Sequence, residues 1–137
     1  MIIKEIRKNL FEVKNYYYAH CISSDYALGA GIAVQFQNKF HLKNRLKEVG
    51  DFKYPDCILI DTVFNLVTKN NYWNKPTYQS LTRSLEMMKQ MTIDNKINKI
   101  AMPKIGCGLD KLQWGKVKEI IENIFKDTDI EILVCSL

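Results

Sequence analysis

The chain has 137 residues, which fits one compact domain spanning 1–137, and 47% of them are hydrophobic, enough for a core without staples. Charged residues make up 26% and the net charge is +5, but the Lys and Arg residues are scattered, so a solvated basic surface is favoured over a dedicated polyanion-binding face. The four cysteines (Cys21, Cys57, Cys107 and Cys135) form no CxxC pair and have only His20 and His41 for company, so no zinc site, and no metal of any kind, is expected.

In chain order, Ile2 to Ile6 alternates as a short strand, and Asn9-Leu10-Phe11 turns the chain. Tyr16 to Ile22 is aromatic-rich and ends apolar, as a buried strand does. Ser23-Ser24-Asp25 breaks it. Leu28-Gly29-Ala30-Gly31-Ile32-Ala33-Val34 then supplies a glycine-bearing loop before a helix in which Ala33, Phe36 and Phe40 share a face. Val34 stands where a third glycine would complete a dinucleotide fingerprint, so that motif is weak. A second short helix runs to about Glu48, and Gly50 and Pro55 punctuate the stretch beyond it. Cys57 to Ile60 and Val63 to Thr68 are β-like runs separated by Asp61-Thr62. A polar loop, Lys69 to Pro76, carries Tyr72 and Trp73. Thr77 caps a helix with Leu81, Leu85 and Met88 on one face, ending near Asp94-Asn95. Lys99 to Met102 is the next strand. From Trp114, Val117, Ile120, Ile121, Ile124 and Phe125 mark a helix. Ile130, Ile132 and Val134 form a last strand.

Strands alternating with helices argue an α/β layer fold with a mixed or largely parallel sheet. Ligands bind beyond the carboxyl ends of such strands, which singles out the loops after Ile22, Thr68 and Met102. The third, Pro103-Lys104-Ile105-Gly106-Cys107-Gly108-Leu109-Asp110, carries two glycines and one carboxylate. Glycines let backbone N–H groups approach a phosphate closely. A carboxylate there would repel phosphate, so Asp110 serves another part of a ligand or stabilises a helix start. Cys21, Cys57 and Cys135 sit in apolar runs, as buried free thiols do, so a reducing, cytoplasmic compartment is expected. Met1-Ile2-Ile3-Lys4-Glu5 is too short an apolar run for a signal peptide, and no stretch approaches a membrane span.

His20-Cys21-Ile22-Ser23 with Gly29-Ala30-Gly31-Ile32-Ala33 resembles the first ligand loop of macrodomains. Lys75-Pro76-Thr77-Tyr78 and the segment Met102 to Trp114 sharpen the resemblance to the terminal ADP-ribose protein glycohydrolase branch, which uses a lysine. The resemblance covers nearly the whole chain. It implies a three-layer α/β/α macrodomain with a mixed central sheet, binding of ADP-ribose, and hydrolysis of ADP-ribose esters on protein Glu/Asp or in O-acyl-ADP-ribose. It leaves open a non-catalytic ADP-ribose-binding module and a hydrolase acting on ADP-ribosylated DNA bases. A monomer with no cofactor is expected.

By the resemblance, Lys69 and Asp110 are the catalytic pair. Cys21 and Ser23 lie beside the ligand. Gly29, Ala30, Gly31 and Ile32 hold one side of the diphosphate, and Ile105, Gly106, Cys107 and Gly108 the other, with Leu109 a further substrate-binding residue. Asn9 and Leu10 fall at the adenine. Asn9 replaces the family's aspartate there; its amide can accept from the adenine amino group and donate to a ring nitrogen, with weaker selectivity expected. A lysine amine attacks the sugar's anomeric carbon once neutral, and a carboxylate can take and return the proton. Cys107 near helix-start N–H groups invites a thiolate reading, but no histidine is close in sequence, which favours a backbone role at the phosphates. Tyr72 and Trp73 either stack on ribose or adenine or cover the core. His20 is expected to be a packed strand residue.

Overall fold

The computed structural model describes residues 1–51 and 54–137. Its sheet has six strands: β1 (Ile2–Arg7), β2 (Tyr17–Ser23), β3 (Asp56–Ile60), β4 (Val63–Lys69), β5 (Lys99–Met102) and β6 (Glu131–Ser136), in the order β1-β6-β5-β2-β4-β3. All neighbours pair in parallel except β3 with β4. The sheet is therefore mixed, with one antiparallel edge strand. That edge follows from the chain: only Asp61-Thr62 joins β3 to β4, and so short a link can make only a hairpin.

Four helices flank the sheet among the described residues: α1 (Ile32–Phe40), α2 (Leu42–Val49), α3 (Tyr78–Asp94) and α4 (Trp114–Phe125). Strand alternation sends successive side chains to opposite faces. On one face Ala19, Phe64, Leu66, Ile100 and Ile132 meet Leu81, Leu85 and Met88 of α3 and Val117, Ile121 and Phe125 of α4. On the other, Tyr18, Ile22, Val63, Val67 and Ala101 meet Phe36 of α1 and Leu42 and Leu46 of α2. The result is the expected α/β/α sandwich. No helix of the described residues is long and apolar enough to cross a membrane.

Boundaries shift by a residue or so. Ser23, expected to break its strand, is the last residue of β2, and Lys69 is the last residue of β4. Thr77 caps α3 as expected: its side chain accepts from the Ser80 N–H at 2.9 Å while Ser80 Oγ accepts from the Thr77 N–H at 3.0 Å.

His20 is fully buried on β2 and stacks on Phe36, with ring centroids 4.0 Å apart. The Asn65 amide donates to the carbonyls of Ile58 and Val63, so its Oδ1 faces His20 Nε2 at 2.6 Å. That arrangement puts the ring proton on Nε2. Nδ1 has no partner among the described residues. Burial pushes the His20 pKa down to about 4, with the Asn65 contact opposing it.

Candidate active site

A cleft of about 720 Å³ opens beyond the carboxyl ends of β2, β4 and β5. Its wall contains Cys21 and Ser23 from the end of β2, Gly29 to Ile32 before and at the start of α1, Lys69 from β4, and Ile105, Gly106, Gly108, Leu109 and Asp110 from the third loop. Three loops distant in sequence thus converge, because their strands are sheet neighbours: β2 lies between β4 and β5.

The glycines have separate reasons to be there. Gly31 caps α1 with φ 61°, and no side chain satisfies the first N–H groups of that helix. Val34 N–H turns back to the Gly31 carbonyl at 3.2 Å, which leaves the N–H groups of Ile32 and Ala33 to meet an anion. Gly106 has φ 73°, and a Cβ there would come 2.9 Å from Leu112 Cδ1. A side chain there is strained by the backbone conformation and must also displace the tip of Leu112. The side chain of Leu109 lies over Gly31, so the two glycine loops face each other.

In the cleft wall Lys69 Nζ contacts Asp110 Oδ1 at 2.6 Å. Both side chains are mostly buried, at 14% and 15% exposure, so water does little to loosen the pair. Asp110 is not part of a helix start: α4 begins at Trp114 and has no acidic residue in its first turn. Its partner is the lysine 41 positions away. Lys75 Nζ donates to the Leu109 carbonyl at 2.7 Å, a second tie between the lysine loop and the glycine loop.

Neither cysteine beside the cleft is acidified. Cys21 is pushed up to about 12, first by burial and then by the nearby Asp110 charge. Burial likewise raises Cys107, against a smaller pull from Lys104, and its Sγ donates to the Ile105 carbonyl at 3.3 Å. The helix-start acidification considered for Cys107 does not arise.

Three expected contact residues are not part of the cleft wall. Asn9 spends its Oδ1 on the Phe11 N–H at 3.0 Å, capping a short 3-10 turn over Leu10–Glu12. Leu10 is 4% exposed and packs in the core with Val13 and Phe36. Cys107 packs toward the α3/α4 side of the core. Tyr72 and Trp73 do not cover the core. Both are 64% exposed and pack edge to face at 5.0 Å, with Tyr72 lining the cleft. Sequence reasoning gave no role to two residues that organise the cleft: Lys75, and Asp25, which accepts from the Ser23 hydroxyl and the Tyr72 N–H. Their signal was weak, since one polar residue in a polar loop resembles any other.

The chain belongs to the macrodomain family, whose model, Macro domain, matches residues 22–121. It is 43% identical over 130 residues to ADP-ribose glycohydrolase OARD1 of Homo sapiens, which covers 87% of this chain and 80% of that protein. Among solved structures it is similar to the macrodomain of Mycobacterium tuberculosis DarG, with a TM-score of 0.90, 17% identity and 99% and 98% of the two chains covered. It is also similar in fold to Thermosipho africanus DarTG in complex with ADP-ribose, with a TM-score of 0.82 and 14% identity over 98% of this chain and 41% of that one.

Proposed function

We propose that residues 1–137 act as one macrodomain that binds ADP-ribose and hydrolyses its ester links to protein Glu/Asp or to acyl groups. The observation that carries this is the Lys69–Asp110 contact at 2.6 Å, held in the wall of a cleft that two glycine loops also line. Support for the substrate comes from the relative named as an ADP-ribose glycohydrolase, at 43% identity. The diphosphate fits the opposed N–H-bearing loops at Gly29–Ile32 and Ile105–Gly108, and the distal ribose then reaches Lys69 and Asp110.

Attack by the amine requires that it first lose a proton, and Asp110 Oδ1 is in contact to take it. The Nζ–C bond forms at the anomeric carbon as the C–O bond to the carboxylate breaks, and the carboxylate leaves with the bonding electrons. Asp110 gives its proton to the departing carboxylate, takes one from water as the water oxygen bonds the anomeric carbon and the Nζ–C bond breaks, and returns that proton to the released amine. The sum is ester plus water giving free carboxylic acid and ADP-ribose, with Lys69 regenerated. Ser23 and Cys21 line the same cleft, Ser23 as the register partner of Lys69. For Leu10 and Cys107 the reading leaves main-chain contact, since their side chains pack inward, while Asn9, with its Oδ1 spent on the Phe11 N–H, contributes only as a donor. Four free cysteines fit a reducing, cytoplasmic setting, and action as a monomer is part of the same proposal.

The test is an activity panel of ADP-ribosylated protein, O-acetyl-ADP-ribose and ADP-ribosylated DNA. Wild type, Lys69→Ala and Asp110→Ala are compared. Ester turnover by wild type, lost in both variants, supports the reading. Binding of ADP-ribose with no turnover of any substrate makes the chain a binding module. Turnover of the DNA substrate alone makes it a nucleobase hydrolase.

A further inference from the structure

Asp25 has no role in the chemistry above, yet its carboxylate joins two of the three loops that build the cleft. Oδ1 accepts from the Ser23 hydroxyl and from the Ala27 N–H, the latter at 3.2 Å, and Oδ2 accepts from the Tyr72 N–H at 2.9 Å. Main chain reinforces the junction: Ser24 N–H donates to Lys69 O at 2.9 Å and Asp25 N–H to Asn70 O at 3.1 Å. Asp25 itself is exposed and is not part of the cleft wall, whereas Ser23 and Tyr72 both are. Any effect of Asp25 on a ligand therefore passes through its partners: Ser23, Tyr72, and Ala27, which also lines the cleft but meets Asp25 only through its main-chain N–H. Ser23 is well placed to transmit one. It is 4% exposed and is the register partner of Lys69 across the β2–β4 ladder.

A serine hydroxyl has one proton and two lone pairs. Here the proton points at Asp25, which leaves Ser23 only lone pairs to offer the cleft. A phosphate oxygen, itself an acceptor, gains nothing from such a group. A sugar hydroxyl, which can donate, does. Asp25 stays ionised in this arrangement. Burial raises its pKa, but the donors from Ser23, Tyr72 and Ala27 outweigh that and hold it below the usual carboxylate value.

We propose that Asp25 is a positioning residue that fixes the polarity of Ser23, making it an acceptor for a hydroxyl of the distal ribose, while its grip on the Tyr72 backbone holds the Tyr72 wall at the lysine end. This rests on the ADP-ribose reading. It makes Ser23 a sugar contact rather than a diphosphate contact, and it assigns the preference for a ribosylated over a bare diphosphate to a carboxylate outside the cleft.

The experiment is calorimetric titration of wild type, Asp25→Ala, Asp25→Asn and Ser23→Ala with two ligands, ADP-ribose and ADP. ADP has no distal ribose. Loss of the Ser23 contact weakens ADP-ribose about tenfold in Asp25→Ala and in Ser23→Ala, and changes ADP by less than about twofold. Asp25→Asn keeps one acceptor oxygen for Ser23 and recovers ADP-ribose affinity to within about threefold of wild type. Equal weakening of both ligands, or of neither, overturns the proposal. If Asp25→Ala does not fold, Ser23→Ala and Asp25→Asn carry the same comparison. If wild type fails to bind ADP-ribose, the parent reading falls, and this inference with it. Wild-type binding without the ligand split sinks the inference alone.

Discussion

Lowering the pH from 7 to 5 should destabilise this fold through one residue, His20. Its ring is buried between Phe36 and Asn65, with Nδ1 unpartnered among the described residues. In the unfolded chain the ring titrates near 6.5, and in the fold near 4. The folded pKa is the lower one. Between those values the unfolded chain holds a proton that the folded chain refuses, so stability is complete above pH 6.5 and drains as the pH falls toward 4. Each pH unit inside the window costs about 1.4 kcal/mol, so the drop to pH 5 removes about 2 kcal/mol and full passage about 3 kcal/mol. Carboxylates held low by their donors, such as Asp25 and Asp127, titrate below this window and do not mask it. Urea unfolding followed by tryptophan fluorescence at pH 7, 6 and 5 measures the loss as a falling midpoint. His20→Gln should flatten the profile across the same range. Stability that is level between pH 7 and 5 in wild type, or that falls in parallel in His20→Gln, would refute the reasoning. Because Phe36 belongs to α1, whose N-terminus forms a glycine loop of the cleft, ADP-ribose affinity should weaken over the same interval.

Other perturbations give separable outcomes. Gly106→Ala must adopt φ 73° and push Leu112 aside from 2.9 Å, so it should cost about 1–2 kcal/mol in denaturant unfolding and weaken ADP-ribose binding in the same preparation. Lys75→Met removes the exposed tie to the Leu109 carbonyl; KM should rise about fivefold, equivalent to ~1 kcal/mol, with stability little changed. Tyr72→Ala removes an aromatic wall at the lysine end, so KM should rise about fivefold for an ADP-ribosylated peptide and much less for O-acetyl-ADP-ribose. An equal rise for both substrates would mean that Tyr72 touches only the ribose.

Much of the fold was legible because its signals are local. The i, i+3, i+4 pattern of Val117, Ile120, Ile121 and Ile124, the Thr77 cap and the apolar runs at Val63 to Thr68 and Lys99 to Met102 each mark an element without reference to the rest. The three ligand loops could be chosen because each follows a strand, but spacing alone could not join them. Lys69 and Asp110 meet only because β4 and β5 flank β2 in the sheet, and the family resemblance, not periodicity, paired them. Side-chain direction was the part beyond reach. Asn9 turned its oxygen to the Phe11 N–H, Cys107 turned inward, and Tyr72 and Trp73 stayed in solvent. Asp25 was overlooked because its importance lies in three donors that the fold delivers, two of them from nearby loop positions and one from a loop 47 residues away.

Lys69, as the group that attacks the sugar, is the centre of the proposed chemistry. Release of ADP-ribose from an ester-linked substrate by Lys69→Ala, measured beside calorimetric binding of ADP-ribose to the same protein, tests this most directly. The expected result is retained binding with release reduced to background. Release at the wild-type rate by a variant that still binds ADP-ribose would contradict the covalent mechanism.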